Sequence, residues 1–390
     1  MTAGKVPNPA PLGRIDRKVV AHYHASSEMV GLRVMAVSMT QGQGVSQWAD
    51  TAVRTWLLIV AGLVFAMIVV GGATRLTDSG LSITEWLPIL GVIPPLNEAD
   101  WQAAFEKYKA IPEYAIINPG MSLAEFKFIY WWEWAHRFLG RFVGVAFALP
   151  FLGFWIAGKL RPGFALKCLG VFVLGGLQGF IGWYMVKSGL VDRVDVSQYR
   201  LALHLLLAFA ILGLLIWLAL DLAPDTRSPR LQTVSLMQRR LAVVLVALVF
   251  VQSGLGALVA GLKAGLTYNT WPLMDGKLIP TGLGTMSPWY LNFFENVTTV
   301  QFNHRVMAYA LVVLALWHLV ALMRSADDER VVRSAALLSF VVLAQMGLGI
   351  WMLLAHVPLW LGLVHQGGAA LVVAACVLHL HRVTRSATRS

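Results

Sequence analysis

The sequence predicts an all-α integral membrane protein, with eight transmembrane helices forming two pseudo-symmetric four-helix bundles and both termini in the cytoplasm. Three observations carry this reading. Apolar residues make up 57% of the chain and charged residues 13%, with a mean hydropathy of +0.66, a balance foreign to water-soluble domains. Eight apolar stretches of about 20 residues are each long enough to cross ~30 Å of hydrocarbon as a helix. The second half of the chain also repeats the first.

The stretches cover residues 54–74, 133–157, 164–186, 199–222, 239–262, 298–323, 332–355 and 359–381. They are too long for barrel strands, and backbone groups in lipid must be satisfied within the segment, so a helix bundle follows. Residues 1–53 are polar and hold no stretch resembling a signal peptide; they are expected to form a disordered cytoplasmic tail. Asp16 and Glu28 argue against a mitochondrial transit peptide, and His22 and His24 are expected to be solvated. The domain reading is then 54–222 for the first half, 223–382 for the second and 383–390 for a cytoplasmic tail.

Basic residues near helix ends set orientation. Lys5, Arg14, Arg17, Lys18, Arg33 and Arg54 precede the first helix, and Arg382, Arg385 and Arg389 follow the last. Alternate loops carry Lys159, Arg161 and Lys167, then Arg227, Arg230, Arg239 and Arg240, then Arg324, Arg330 and Arg333. These segments belong in the cytoplasm, and 77–132, 187–198, 263–297 and 356–358 face outward. The net charge of +11 is explained by these flanks, so no nucleic-acid partner is expected. Cys168 and Cys376 fall near cytoplasmic helix ends, where they read as small packing residues.

The repeat locates the chemistry. "EWAHR" at 133–137 recurs as "FNHR" at 302–305, and "GFIGWYM" at 179–185 recurs as "GLGIWML" at 347–353, both at an offset of 168. "LALHLL" at 201–206 recurs as "GLVHQG" at 362–367 at an offset of 161, and "VGGATRLTDSGLSITEW" at 70–86 is echoed by "GALVAGLKAGLTYNTW" at 256–271. Each half thus presents one histidine near the outer start of its second helix and one near that of its fourth: His136 with His204, and His304 with His365. A lone interfacial histidine is usually an amphipathic packing residue, but the same pair at one depth twice is not. Two imidazoles on neighbouring helices can clamp a macrocycle by axial ligation, which predicts one haem per half. Zinc would need further ligands that do not recur.

Arg137 and Arg305 follow the first histidine of each pair, and Arg75 and Arg200 lie at similar depth, placed to meet haem propionates or to snorkel to the interface. Glu133 precedes His136 by three residues and shares its face, whereas the matching position before His304 is Gln301. One half therefore has a candidate acid or base and the other does not.

These features together resemble the haem A synthase family over residues 54–382: the duplicated halves, "EWAHR" and "NHR", His204 and His365, and "GGATRLTDSGLSITEW". Chain 1–390 lacks the outer-loop cysteine pair of some bacterial members, which places the resemblance with the proteobacterial and mitochondrial type. The resemblance implies that His136 and His204 frame the site where haem O is oxidised to haem A, that His304 and His365 ligate a resident haem B, and that Glu133 serves catalysis. It implies two hydroxylations of one methyl group followed by loss of water to the aldehyde. It further implies a multi-pass protein of the bacterial inner membrane with haem sites toward the periplasm, supplied by the haem O synthase and serving cytochrome oxidase assembly, with membrane lipid around it; a homo-oligomer is compatible with all of this. Two rivals remain at this level. His318 and His379 each follow a ligand histidine by 14 residues, so a stacked-haem cytochrome b electron carrier is one alternative, and a cofactor-free transporter on the same repeat is the other. Orientation is checked with topology reporters: one active only in the cytoplasm works after Ser390 and fails within the 90–120 loop, and the reverse result overturns the assigned sides.

Overall fold

The computed structural model describes residues 17–87, 90–192, 194–224, 233–326 and 328–389, with no side-chain description for 17–46, 191–192, 233 and 387–389. Eight helices are long and apolar enough to cross a membrane, and the protein is an all-α integral membrane protein. The chain divides into a unit of residues 1–51, helical from Arg17 onward, and a unit of residues 52–390 that carries everything described below. The segment expected as a disordered tail is thus helical from Arg17, where no proline interrupts it, and residues 1–16, with Asp16, lie outside the described residues.

The spanning helices are α1 (Arg17–Leu76), α4 (Leu123–Ile156), α5 (Phe164–Asp192) and α6 (Gln198–Asp221), then α7 (Leu236–Gly261), α8 (Val297–Ser325), α9 (Glu329–Leu354) and α10 (Leu359–Arg385). Two helices, α2 (Glu98–Lys109) and α3 (Pro112–Ile116), occupy the long segment between α1 and α4. Helix α4 begins ten residues before the apolar stretch at 133, because Ser122 and Glu125 close a capping box that starts the helix outside the apolar run. Ser235 and Gln238 start α7 in the same way. A parallel pair of three-residue strands, β1 (Thr233–Ser235) and β2 (Ala387–Arg389), ties the start of α7 to the end of α10.

Helices α6, α7 and α10 pack against one another, and α1 joins α10 where Gln366 Nε2 donates to the Ile68 carbonyl at 2.6 Å. The shared core includes Leu57, Val64, Phe209, Leu215, Leu245, Val249, Val373 and Cys376. Cys168 and Cys376 are both buried and free, as expected of packing residues. Leu149, Ile156, Leu166, Val313 and Phe340 stay exposed on the outside of the bundle, where acyl chains take the place of a partner.

The duplication is visible in backbone geometry. Helices α1 and α7 each end on a left-handed residue, Asp78 (φ 48°) and Lys263 (φ 52°), at an offset of 185. These two residues bind each other at 3.2 Å, and Arg75 and Asp195 complete the ionic cluster, with Arg75 on Asp78 at 2.8 Å and on Asp195 at 3.5 Å.

Below the long loop, Trp101, Phe105 and Tyr108 of α2 pack on Phe126, Ile129 and Tyr130 of α4. Glu113 of α3 is 3% exposed and accepts from the Tyr108 hydroxyl at 3.3 Å. Burial, and then the nearby Glu133 charge, push its carboxyl up to about 8. The native protein therefore binds the extra proton between the ordinary carboxylate value and about 8, so this group costs stability as pH rises through that window. Glu113→Gln should flatten the fall in unfolding temperature between pH 5 and pH 8; a slope equal to that of the unmodified chain would show that Glu113 is ionised throughout.

Candidate active site

All four repeated histidines sit at the same end of the bundle, each against a glycine of an adjoining helix. A Cβ built on Gly71 of α1 would lie 2.8 Å from His136 Cε1, and one on Gly182 of α5 would lie 3.0 Å from that of His204. The second half repeats this with Gly256 of α7 at 3.1 Å from His304 and Gly349 of α9 at 2.9 Å from His365. In every case Cε1 is the ring atom nearest the glycine; Nδ1 and Nε2 follow at 3.2 and 4.0 Å for His136, but at 3.7 and 3.8 Å for His204 and 3.6 and 3.7 Å for His365. The rings of each half lie within reach of each other's charge, His136 with His204 and His304 with His365.

Three glutamines complete the pattern. Gln178, Gln252 and Gln345 stand one turn before Gly182, Gly256 and Gly349, and their Nε2 atoms donate to the carbonyls of His204, His304 and His365 at 3.0, 3.1 and 2.7 Å. In the second half the same amides also lie 3.1 Å from Nδ1 of His304 and of His365. The first half has no such ring contact, and His136 Nδ1 and His204 Nδ1 are buried without a partner. The position one turn before Gly71 is Met67. These contacts set the register between α5 and α9 at 167, from Gln178 to Gln345, which corrects the offset of 168 read from "GFIGWYM" and "GLGIWML". The signal was present as "QGFIG", "QSGLG" and "QMGLG"; the aromatic match one residue away obscured it.

Glu133 is 2% exposed. Its Oε2 accepts from Ser82 Oγ at 2.8 Å and Ile83 N at 2.7 Å, and its Oε1 accepts from Arg137 Nε at 3.1 Å and Nη2 at 2.7 Å. Arg137 also donates to the Ile83 and Glu85 carbonyls at 2.8 and 2.9 Å. Arg305 makes the matching bonds to Tyr268 and Thr270 at 2.7 and 2.8 Å, and Gln301 donates to Tyr268 at 3.0 Å. The loops after α1 and α7 are therefore clasped alike, with a carboxylate accepting in one half and an amide donating in the other. Arg75 reaches the Ala260 carbonyl at 3.2 Å besides its carboxylates. Arg200 bonds Ser188 and stacks on Tyr184 at 4.6 Å. All four predicted arginines lie at the histidine end, and each is engaged by protein groups. A cavity of about 380 Å³ opens beside Arg137, lined in part by Ser82, Glu85, Lys107, Tyr130 and Arg141.

The donor set fits a pair of haems. Among the described residues no group of three or more His, Cys, Asp or Glu side chains is gathered for a metal ion, which disfavours a tetrahedral centre. Paired imidazoles backed by glycine suit axial ligation. His318 and His379 do not. Their Nε2 atoms are 2.8 Å apart, whereas an iron between them needs roughly 4 Å from two metal–nitrogen bonds of about 2 Å. Ser334 Oγ donates to the Val331 carbonyl and meets His379 Nδ1 at 3.0 Å, so His379 donates from Nδ1 and receives from His318 Nε2. The pair is a buried hydrogen-bonded tie among α8, α9 and α10. This geometry counts against the stacked-haem carrier.

A family model described as cytochrome oxidase assembly protein (COX15-CtaA) matches residues 54–377. A protein of Chelativorans sp. named Heme A synthase is 54% identical over 335 residues, covering 86% of this chain and 91% of its own. Another of that name from Parvibaculum lavamentivorans is 51% identical over 334 residues, 86% of this chain and 95% of its own. A third from Mesorhizobium japonicum is 52% identical over 327 residues, 84% and 89% respectively. With the repeated histidine pairs inside the matched span, the chain belongs to the COX15-CtaA family of cytochrome oxidase assembly proteins.

Proposed function

We propose that this protein makes haem A from haem O, oxidising a methyl group to the formyl group by successive hydroxylations in the first half, while haem B held in the second half passes electrons. The observation that carries this reading is the asymmetry of the duplicated site: both halves offer a glycine-backed imidazole pair, and the first alone has a buried carboxylate, Glu133 against Gln301. The names of the relatives agree with it.

His136 and His204 would hold the substrate haem, and His304 and His365 the resident one; the bound iron supplies the redox chemistry. The glutamines differ between the halves, Gln252 and Gln345 lying beside both rings of the second and Gln178 reaching only the His204 carbonyl in the first. Glu133 places a negative charge beside His136, where it stabilises positive charge developing at the substrate edge. The Ser82 hydroxyl, bonded to Oε2, can rotate and carry a proton to or from that carboxylate. Arg75, Arg137, Arg200 and Arg305 draw the haem propionates to this end through their field, because their guanidinium groups already bind loop carbonyls, carboxylates and hydroxyls. Under the positive-inside orientation the sites face the periplasm from a bacterial inner membrane. The haem O synthase is the class of enzyme that supplies the substrate, and cytochrome oxidase assembly consumes the product.

Glu133→Gln should lower haem A output by ~10²–10⁴-fold, the range for loss of a general acid or base, and leave the haem spectrum of the second half unchanged. The ratio of haem O, its hydroxylated form and haem A extracted from cells measures this, and normal haem A output would make the carboxylate a structural clasp only. His304→Ala or His365→Ala should remove the resident haem B from the purified protein, while His318→Ala keeps it. Loss of a haem from His318→Ala would restore the electron-carrier reading.

A further inference from the structure

Consecutive glycines near the end of α1 face two different helices. Gly71 takes the His136 ring of α4, with a built Cβ 2.8 Å from Cε1, and Gly72 takes the side chain of Gln366 on α10, with a built Cβ 2.6 Å from Oε1 and 3.0 Å from Nε2. Gln366 Nε2 donates to the Ile68 carbonyl of α1 at 2.6 Å. In an α-helix that carbonyl already accepts from the N–H four residues on, so the amide adds a second donor beside Gly72, and any side chain at 72 would displace it.

Gln366 directly follows His365, the second-half histidine seated on Gly349 of α9. One histidine of each pair is therefore joined to the other through the Gly71–Gly72 peptide, the Gln366 amide and the His365–Gln366 peptide. Close contacts of α10 with α1 flank this bond: Leu76 reaches Gly362, and Phe65 and Val69 reach Gly367, glycines that let two helices approach in lipid. The ionic cluster of Arg75, Asp78, Asp195 and Lys263 also joins the halves, but it forms outward of the glycine pair, at the ends of α1 and α7.

The duplicate interface, where α6 meets α7, lacks this bond. By the offsets of 185 and 161, Ser253, Ala257 and Leu205 stand for Ile68, Gly72 and Gln366. Ala257 is buried, Leu205 packs on the shared core, and Ser253 Oγ donates within α7 to the Val249 carbonyl at 2.7 Å. Since leucine and alanine fill the same place there, packing alone does not call for the amide and the glycine.

We propose that Gln366 is a positioning residue that sets the distance and orientation between the two histidine pairs, by holding the helix of His365 against the glycines that seat His136. This rests on the reading of one haem per half: an electron passing from the second site to the first then crosses a fixed gap.

Gln366→Leu and Gly72→Ala copy the duplicate from opposite sides of the contact. Gly367→Ala is the comparator, because its Cβ would meet Val69 at an ordinary 3.5 Å. Nitroxide pairs at Ala124→Cys and Ala355→Cys, exposed at the histidine ends of α4 and α9, read the spacing of the halves without reference to haem; Cys168 and Cys376 are buried, so the unmodified chain is the labelling blank. The distance distribution should shift or broaden in Gln366→Leu and in Gly72→Ala, no further in the double variant than in either single one, and stay unchanged in Gly367→Ala. In the same two variants, flash-induced electron transfer between the haems should slow several-fold while haem B content and spectrum are kept. Unchanged distances and rates would overturn the proposal. Loss of haem B in proportion to the loss of rate would also overturn it, by showing that the amide only supports His365. If Gln366→Leu fails to assemble, Gly72→Ala alone carries the test. A second half without haem in the unmodified protein would instead sink the haem reading, and the label distances would still decide whether Gln366 spaces the halves.

Discussion

The contact between a helical glycine and an imidazole of the adjoining helix governs the rest of the site. With any side chain at Gly71, Gly182, Gly256 or Gly349, the Cβ would fall 2.8–3.1 Å from a ring carbon, and the ring or the helix would have to move. Each glycine costs about 0.5–1 kcal/mol of helix stability relative to alanine, and in lipid the return is close helix approach rather than hydrophobic burial.

On that common frame the halves diverge by single residues. Gln252 and Gln345 hold both rings of the second half, Gln178 holds only the backbone behind His204, and Met67 stands where the fourth glutamine would be. Glu133 accepts hydrogen bonds from the loop that Gln301 donates to. Arg141, which donates to the Leu87 carbonyl, is replaced by Tyr309, which receives Trp271 Nε1.

Several buried polar groups in this bundle are tied to one another, as a low-dielectric surround favours. The His318–His379–Ser334 chain ends on the Val331 carbonyl, with each proton assigned by the next acceptor. Arg137 and Arg305 each span two loop carbonyls. Fixing loops through carbonyls suits a duplicated sequence, because backbone acceptors survive when side chains diverge.

The number of spanning helices, the two halves, the four histidines and the contrast of Glu133 with Gln301 were legible in the sequence, because hydropathy and repetition are local properties of the chain. The α4 start at Leu123 was hidden, since a capping box outranks hydropathy where a helix leaves the membrane. What binds Glu133 from the loop and whether His318 faces His379 depend on residues 50 to 61 positions away. Only tertiary packing brings Ser82 to Glu133, Leu87 to Arg141 and Trp56 to the Ala146 carbonyl. The stacked-haem rival shows the difference most plainly. A spacing of 14 residues permits an iron between two imidazoles, but a separation of 2.8 Å between their nitrogens forbids it, and no one-dimensional pattern encodes that distance.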